Sequence, residues 1–273
     1  MTTEKNYETH FQQNKLTENY EYHWPVMLTE CLEGLAIKPG GIYVDVTFGG
    51  GGHSRAILEK LTSGHLYSFD QDEDAERESE KIKSGNFTFI RANFRNIQKY
   101  LKLYGVTQVD GILADLGISS HQIDTPERGF STRFDATLDM RMNTTAEVTA
   151  AEVLNEYTAE DLHKMFGMYG ELKNAKTVAH TIVNKRHTSP INTIKDLKNV
   201  LNTLAPRGKE NKYFAQVFQA LRIEVNQEMQ VLEEFLLQVP EVLAPGGRLV
   251  VMAYHSLEDR PVKNFIRSGK FYG

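Results

Sequence analysis

Ile42-Tyr43-Val44-Asp45-Val46-Thr47-Phe48-Gly49-Gly50-Gly51-Gly52-His53 is the stretch on which the fold turns. A β-branched and aromatic run reaches an acid and then breaks into four glycines. Ser54-Arg55-Ala56-Ile57-Leu58-Glu59-Lys60-Leu61 follows, with Ile57, Leu58 and Leu61 spaced to share a helical face. The order is strand, glycine turn, helix. Glycine allows positive φ and lets a ligand approach bare backbone, and a helix start presents unpaired N–H groups.

His65-Leu66-Tyr67-Ser68-Phe69-Asp70 reads as a second strand ending in an acid, eighteen positions after Gly52. In nucleotide-binding βαβ units an acid about 20 residues downstream accepts hydrogen bonds from ribose hydroxyls. The glycines do not form G-x-G-x-x-G, so a dinucleotide is not the first expectation. Acids ending two strands around a glycine loop suit S-adenosylmethionine better, since it brings a ribose to hold and a cationic sulfonium to place near carboxylates. The plain alternative is a structural turn with a solvent-facing Asp70.

Working outward, Phe87–Arg91 is expected as a third strand, running up to Asn93-Phe94, and 110–115 as a fourth, ending at Asp115. A short helix through Cys31, Leu32 and Leu35 precedes the first strand, and Asp72 is placed to cap a helix over 73–82. A helix over 97–104 should turn Leu101 and Tyr104 inward. Strands alternating with helices predict a parallel, doubly wound sheet with ligands at the carboxyl ends of its strands. Residues 116–145 show no period, and a loop that long in a compact domain is usually functional or mobile. Helices are then expected at 150–156, 159–168, 171–186 and 193–204, the first two with capping starts at Thr149 and Thr158. A long helix over 213–239, a turn at 243–247, a fifth strand over 248–254 and a last helix opened by Pro261 complete the chain.

The organisation expected is therefore a flexible tail at 1–22, a discontinuous α/β domain over 23–128 and 213–273, and a helical insertion at 129–212. Within that insertion twelve Lys and Arg face ten acids, which makes it slightly basic in a chain of net charge −5. The overall charge does not advertise nucleic-acid binding, so any RNA-binding surface must be local. A single cysteine, Cys31, excludes an internal disulfide and any cysteine-cluster metal site, which favours a reducing, cytoplasmic setting. No apolar run approaches the roughly 18 residues of a membrane span. Nothing has metal-ligand spacing.

Four passages taken together are more specific: Asp45 to Ser54 around the glycines; Asp115-Leu116-Gly117-Ile118-Ser119-Ser120-His121-Gln122 with Glu127-Arg128-Gly129-Phe130-Ser131 and Leu138-Asp139-Met140-Arg141-Met142; Phe218-Gln219-Ala220-Leu221-Arg222-Ile223-Glu224-Val225-Asn226; and His255-Ser256-Leu257-Glu258-Asp259-Arg260. With these, the chain closely resembles the bacterial ribosomal RNA small subunit methyltransferase H family from about His23 to Ser268. The resemblance implies a Rossmann-like S-adenosylmethionine-dependent methyltransferase fold with an inserted α-helical domain used for substrate recognition. It also implies methylation of the N4 amine of a cytidine in the decoding region of 16S rRNA, within the small ribosomal subunit. Carried over by position, it implies a cofactor site of Gly51, Gly52, His53, Asp70, Phe94, Asp115 and Gln122. The sequence leaves a homodimer open. His121 stands where the family usually has proline, and Ala253 where serine is common. Family members continue with a basic tail resembling a closing edge strand, so a chain stopping at Gly273 is expected to be incomplete or to finish its sheet differently.

The cytosine amine is a poor nucleophile, because its lone pair is delocalised into the ring, so positioning and electrostatics would carry most of the rate. Asp115 is the candidate catalytic group, accepting hydrogen bonds from the amine; carbonyls of 116–119 are an alternative, and so is an Asp115 that only holds the cofactor. The substrate candidates are Arg128, Arg141, Gln219, Arg222, Asn226 and His255, with Lys185 and Arg186 as further phosphate contacts. Gln219, Arg222 and Asn226 share a helix face by spacing, and His255 is either a proton shuttle or a structural histidine. The rival readings are a methyltransferase for DNA amines, a dinucleotide oxidoreductase, and a ribosome-assembly module with a vestigial cofactor pocket.

Overall fold

The computed structural model describes residues 25–272. The expected tail at 1–22, and packing from His23 and Trp24, lie outside the described residues. Five strands, β1 (Ile42–Asp45), β2 (His65–Asp70), β3 (Phe87–Arg91), β4 (Val109–Asp115) and β5 (Leu243–Met252), form one parallel sheet in the order β3-β2-β1-β4-β5. This is the doubly wound sheet expected from the alternating strands and helices. The order reverses at β1, so the crevice beyond Asp45 and Asp115 is the topological switch point where such sheets bind ligands.

Side chains alternate along each strand, and both faces are covered. Val44, Phe69, Ile112 and Ala114 face α4 (Ile97–Leu103), α11 (Glu228–Val242) and α12 (Ser256–Ser268). Tyr43, Leu66 and Leu113 face α1 (Leu28–Leu35) and α2 (Gly52–Leu58). Around the sheet run α3 (Glu73–Ser79), capped by Asp72 as expected, and α5 (Ser120–Asp124). The helical block holds α6 (Ala150–Glu156), α7 (Ala159–Met168), α8 (Ala175–Arg186) and α9 (Ile194–Leu201). Its own core includes Leu138, Leu154, Phe166 and Ile182 and continues through Leu221 of α10 (Glu210–Asn226). Among the described residues no helix is long and apolar enough to cross a membrane.

Several local expectations are corrected. The helix expected over 213–239 is two helices, broken at Gln227 in the left-handed region (φ 52°). Neither Gly nor Pro marks the break; tertiary packing makes it, since α10 packs mainly in the helical block and α11 on the sheet. The turn at 243–247 is absorbed into β5 as an irregularity, the register passing from Val109 opposite Leu243 to Gly111 opposite Arg248. Pro261 lies inside α12 rather than opening it. Tyr104 follows α4 and is exposed instead of facing inward. α8 starts at Ala175 rather than 171, after Glu171 takes a positive φ. The segment 116–145 is not all loop: Ser119 and Gln122 form a capping box that starts α5.

A left-handed non-glycine residue costs about 1–2 kcal/mol, against a smaller entropic cost of glycine in the unfolded chain. Gln227→Gly is therefore expected to raise the unfolding free energy by about 0.5–1 kcal/mol. A higher urea midpoint at unchanged slope is the result to look for.

Candidate active site at the sheet switch point

Asp45 ends β1 and is buried among polar partners. Its Oδ1 accepts the Thr47 N–H at 3.1 Å, and its Oδ2 accepts the Ser54 hydroxyl at 2.7 Å. The carboxylate thus ties the glycine loop to the first turn of α2. Gly51 has φ 76°, and a Cβ there would come within 2.6 Å of the Phe48 ring. A Cβ on Gly52 would stand 2.3 Å from Pro25 Cγ. Both positions demand glycine, one by conformation and space and the other by space alone.

Asp70 receives two backbone N–H groups, Gly49 on Oδ2 at 2.8 Å and Asp72 on Oδ1 at 2.9 Å. Burial, reinforced by the neighbouring Asp72 and Asp45 charges, pushes its pKa up to about 6 despite those two donors. Phe94 packs edge-on against Phe235 of α11, with ring centroids 5.3 Å apart.

Asp115 ends β4. Its N–H donates to Thr47 Oγ1 at 2.7 Å, its Oδ1 accepts the Tyr254 hydroxyl at 2.7 Å, and its Oδ2 lies 3.8 Å from His53 Nδ1. Burial holds the Asp115 carboxyl above the usual range, opposed by the Tyr254 hydrogen bond and the His53 ring. His53 Nε2 stands 3.1 Å from the Val26 carbonyl oxygen, an acceptor only, so the contact assigns the ring proton to Nε2.

These groups surround a cavity of about 500 Å³, within the ordinary range for a small-molecule site. Gly52, His53, Asp70, Phe94, Asp115 and Gln122 all line it, so six of the seven cofactor candidates are brought together. Gly51 shapes the loop behind that wall. Tyr254 and Arg222 also reach the cavity. Tyr254 escaped the sequence reading because it closes an apolar strand; its place at a strand's carboxyl end is the signal that could have found it.

Gln122 is buried, not solvated. Its Oε1 accepts the Ser119 N–H and its Nε2 donates to Asp72 Oδ2 at 2.7 Å. Arg128 is buried beside it. Its guanidinium lies 2.8 Å from Asp72 Oδ2 and 3.0 Å from Asp74 Oδ2, and donates to the Arg141 and Met142 carbonyls. Arg128, expected as a phosphate contact, has its charge paired inside the protein, where an unpaired guanidinium would be costly.

The same physics claims other substrate candidates. Arg141 binds Asp139 and the Ala146 carbonyl, and Arg186 caps α6 through the Leu154 and Tyr157 carbonyls. Gln219 donates to the Tyr169 carbonyl. Asn226 accepts the Met142 N–H and donates to the Met140 carbonyl, bridging α10 to the long segment after β4. Lys185 is exposed on α8. Arg222 makes a two-pronged bridge to Glu228 at 2.8 and 2.9 Å. His255 Nε2 lies 3.2 Å from the buried Glu258. Glu228, His255 and Glu258 hold possible ligand atoms within 4.8 Å of one another, a trio no sequence spacing revealed, and the Arg222 guanidinium sits among them as their cation.

A model of the MraW methylase family matches residues 20–271. Among similar proteins, the ribosomal RNA small subunit methyltransferase H of Cytophaga hutchinsonii is 60% identical over 252 residues, covering 92% of this chain and 85% of the relative. The proteins of the same name from Christiangramia forsetii and Flavobacterium johnsoniae are 58% and 56% identical, covering 93% and 94% of this chain and 83% and 85% of theirs.

Proposed function

The chain belongs to the MraW methylase family, and from that premise we propose that it methylates the N4 amine of a cytidine in the decoding region of 16S rRNA, using S-adenosylmethionine. Small ribosomal subunits in the cytoplasm are the substrate this reading requires. The observation that carries it is the switch-point cavity, where a glycine loop with no room for a Cβ at Gly51 or Gly52, the ribose-type acid Asp70, the aromatic Phe94 and the strand-end acid Asp115 face one space.

The residues present fit that cofactor. Asp70 keeps lone pairs for ribose hydroxyls beyond the two backbone N–H groups that fix it, and Phe94 offers an apolar wall for an adenine. When bound, the cofactor supplies an electrophilic methyl on a sulfonium. The chain has to hold the amine in line with that methyl and exclude water. Asp115, pinned by Tyr254, accepts a hydrogen bond from the amine, which raises the electron density on nitrogen and gives the departing proton a place to go. The target base must leave its stack to reach this depth, so an unpaired or flipped cytidine is the form recognised.

The deciding experiment is methyl transfer from labelled S-adenosylmethionine to small subunits lacking the modification, with nucleosides identified by mass spectrometry. N4-methylated cytidine is expected. Cofactor binding with no transfer to subunits or naked rRNA would instead favour an assembly module with a relic pocket.

Asp70→Ala removes charged hydrogen bonds worth about 1.5–3 kcal/mol, so cofactor affinity should fall roughly 10- to 150-fold. The wild-type pH dependence follows from the raised pKa. Above about 6 the Asp70 carboxylate accepts from ribose hydroxyls; below it the group is protonated and loses that capacity. The cofactor Kd should be flat above neutrality and rise as pH falls through about 6, by up to about tenfold per unit. Calorimetric titration across that range checks the sign, and an Asp70→Asn protein should lose the dependence.

A further inference from the structure

Tyr254 combines two features that are seldom found in one residue. It is 57% exposed on the cavity rim, and its hydroxyl is held at 2.7 Å by the Asp115 carboxylate. Its backbone is fixed as well: the Tyr254 N–H donates to Glu258 Oε2 at 2.9 Å, and Glu258 is buried and meets His255 through its other oxygen. Gly117 lies beside the ring with φ 97°, and a Cβ there would rest in ordinary contact with ring Cδ2 at 3.6 Å. A large exposed aromatic oriented by a half-buried carboxylate at a ligand cavity is a platform rather than a surface accident.

An extruded base is received by an aromatic face and read along its edge. We propose that Tyr254 receives the target base, its ring stacking on the pyrimidine while its hydroxyl holds Asp115 in position to accept from the exocyclic amine. This rests on the methyltransferase reading above. The ring is the contact group for substrate, and the hydroxyl acts as a positioning group through Asp115. The other titratable groups around Asp115 are His53 of α2, Asp45 at the end of β1, Glu258 of α12 and Cys31 of α1; none of them offers an exposed aromatic face at the rim.

The two roles separate in three variants assayed on modification-free small subunits, with cofactor Kd measured alongside. Tyr254→Phe keeps the ring and should leave the subunit KM within about twofold of wild type. It should lower kcat about 2- to 10-fold, the worth of one hydrogen bond. It should also move the acid limb of the kcat profile to higher pH, because a donor that favours the Asp115 carboxylate is gone. Tyr254→Leu removes the platform and should raise KM about 5- to 150-fold, the range for one base–aromatic stack. Tyr254→Trp should restore the low KM but not kcat, which separates stacking from any folding defect in the leucine protein. The proposal is overturned if Tyr254→Leu keeps a wild-type KM, if Tyr254→Trp fails to restore it while remaining folded, or if the losses follow cofactor Kd. A wild-type protein unable to methylate subunits would overturn the methyltransferase reading itself, a distinct result.

Discussion

Asp115→Asn is expected to lower kcat for subunit methylation by roughly 10²- to 10⁴-fold while leaving the cofactor Kd within about twofold, the usual worth of a positioned proton acceptor. Asparagine keeps the shape and one oxygen for the Tyr254 hydroxyl, so the local hydrogen bond survives. It loses the negative charge and turns an N–H donor toward the cleft, where an amine offering its own N–H groups needs an acceptor. The alternative assignments give different results. An Asp115 that only holds the cofactor would raise Kd and spare kcat once the cofactor saturates. Acceptance by carbonyls of residues 116–119 would spare both. Single-turnover transfer at saturating cofactor, paired with calorimetric binding, distinguishes all three.

Arg128→Met should destabilise the protein by about 3–5 kcal/mol, the cost of leaving a buried charge without its partner. Asp72, with 5% of its side chain exposed, depends on that guanidinium; Asp74, 25% exposed, also pairs with Arg77 and His121. The same guanidinium donates to the Arg141 and Met142 carbonyls, and Asn226 holds the Met142 N–H and the Met140 carbonyl. Removing Arg128 therefore loosens the wall that carries Gln122 and Met142 over the cavity, and cofactor affinity should fall along with stability. Adding Asp72→Asn removes one stranded charge and should recover part of the loss. A phosphate-contacting Arg128 would behave oppositely, with stability unchanged, RNA binding weaker, and a salt dependence shallower by about one unit. Urea unfolding and RNA binding at several salt concentrations separate the two.

How much was legible in the sequence depends on the range of the signal. The strand that ends at Asp45, the four glycines, the acid at Asp70, the capping box at Thr149 and the N-cap at Thr158 are written within a few residues, in side-chain period, turn chemistry and cap spacing. Such local rules place a doubly wound sheet and the ligand end of its strands without knowledge of what packs where. The break at Gln227 has no local mark, because the two helices it separates are pulled toward different cores. Gln122 became a candidate only through family resemblance, since its partner Asp72 is 50 positions away.

The sequence by itself thus determined the fold class, the glycine loop and the strand-end acids, all short-range. Only the tertiary structure decided which charges are free and which are neutralised. Arg128 finds Asp72 across 56 positions, and Tyr254 finds Asp115 across 139, because β5 lies beside β4 although a whole helical block intervenes in the chain. The pairing of buried charges and the orientation of a rim aromatic follow from strand order and packing, and no residue carries that information in its immediate neighbours.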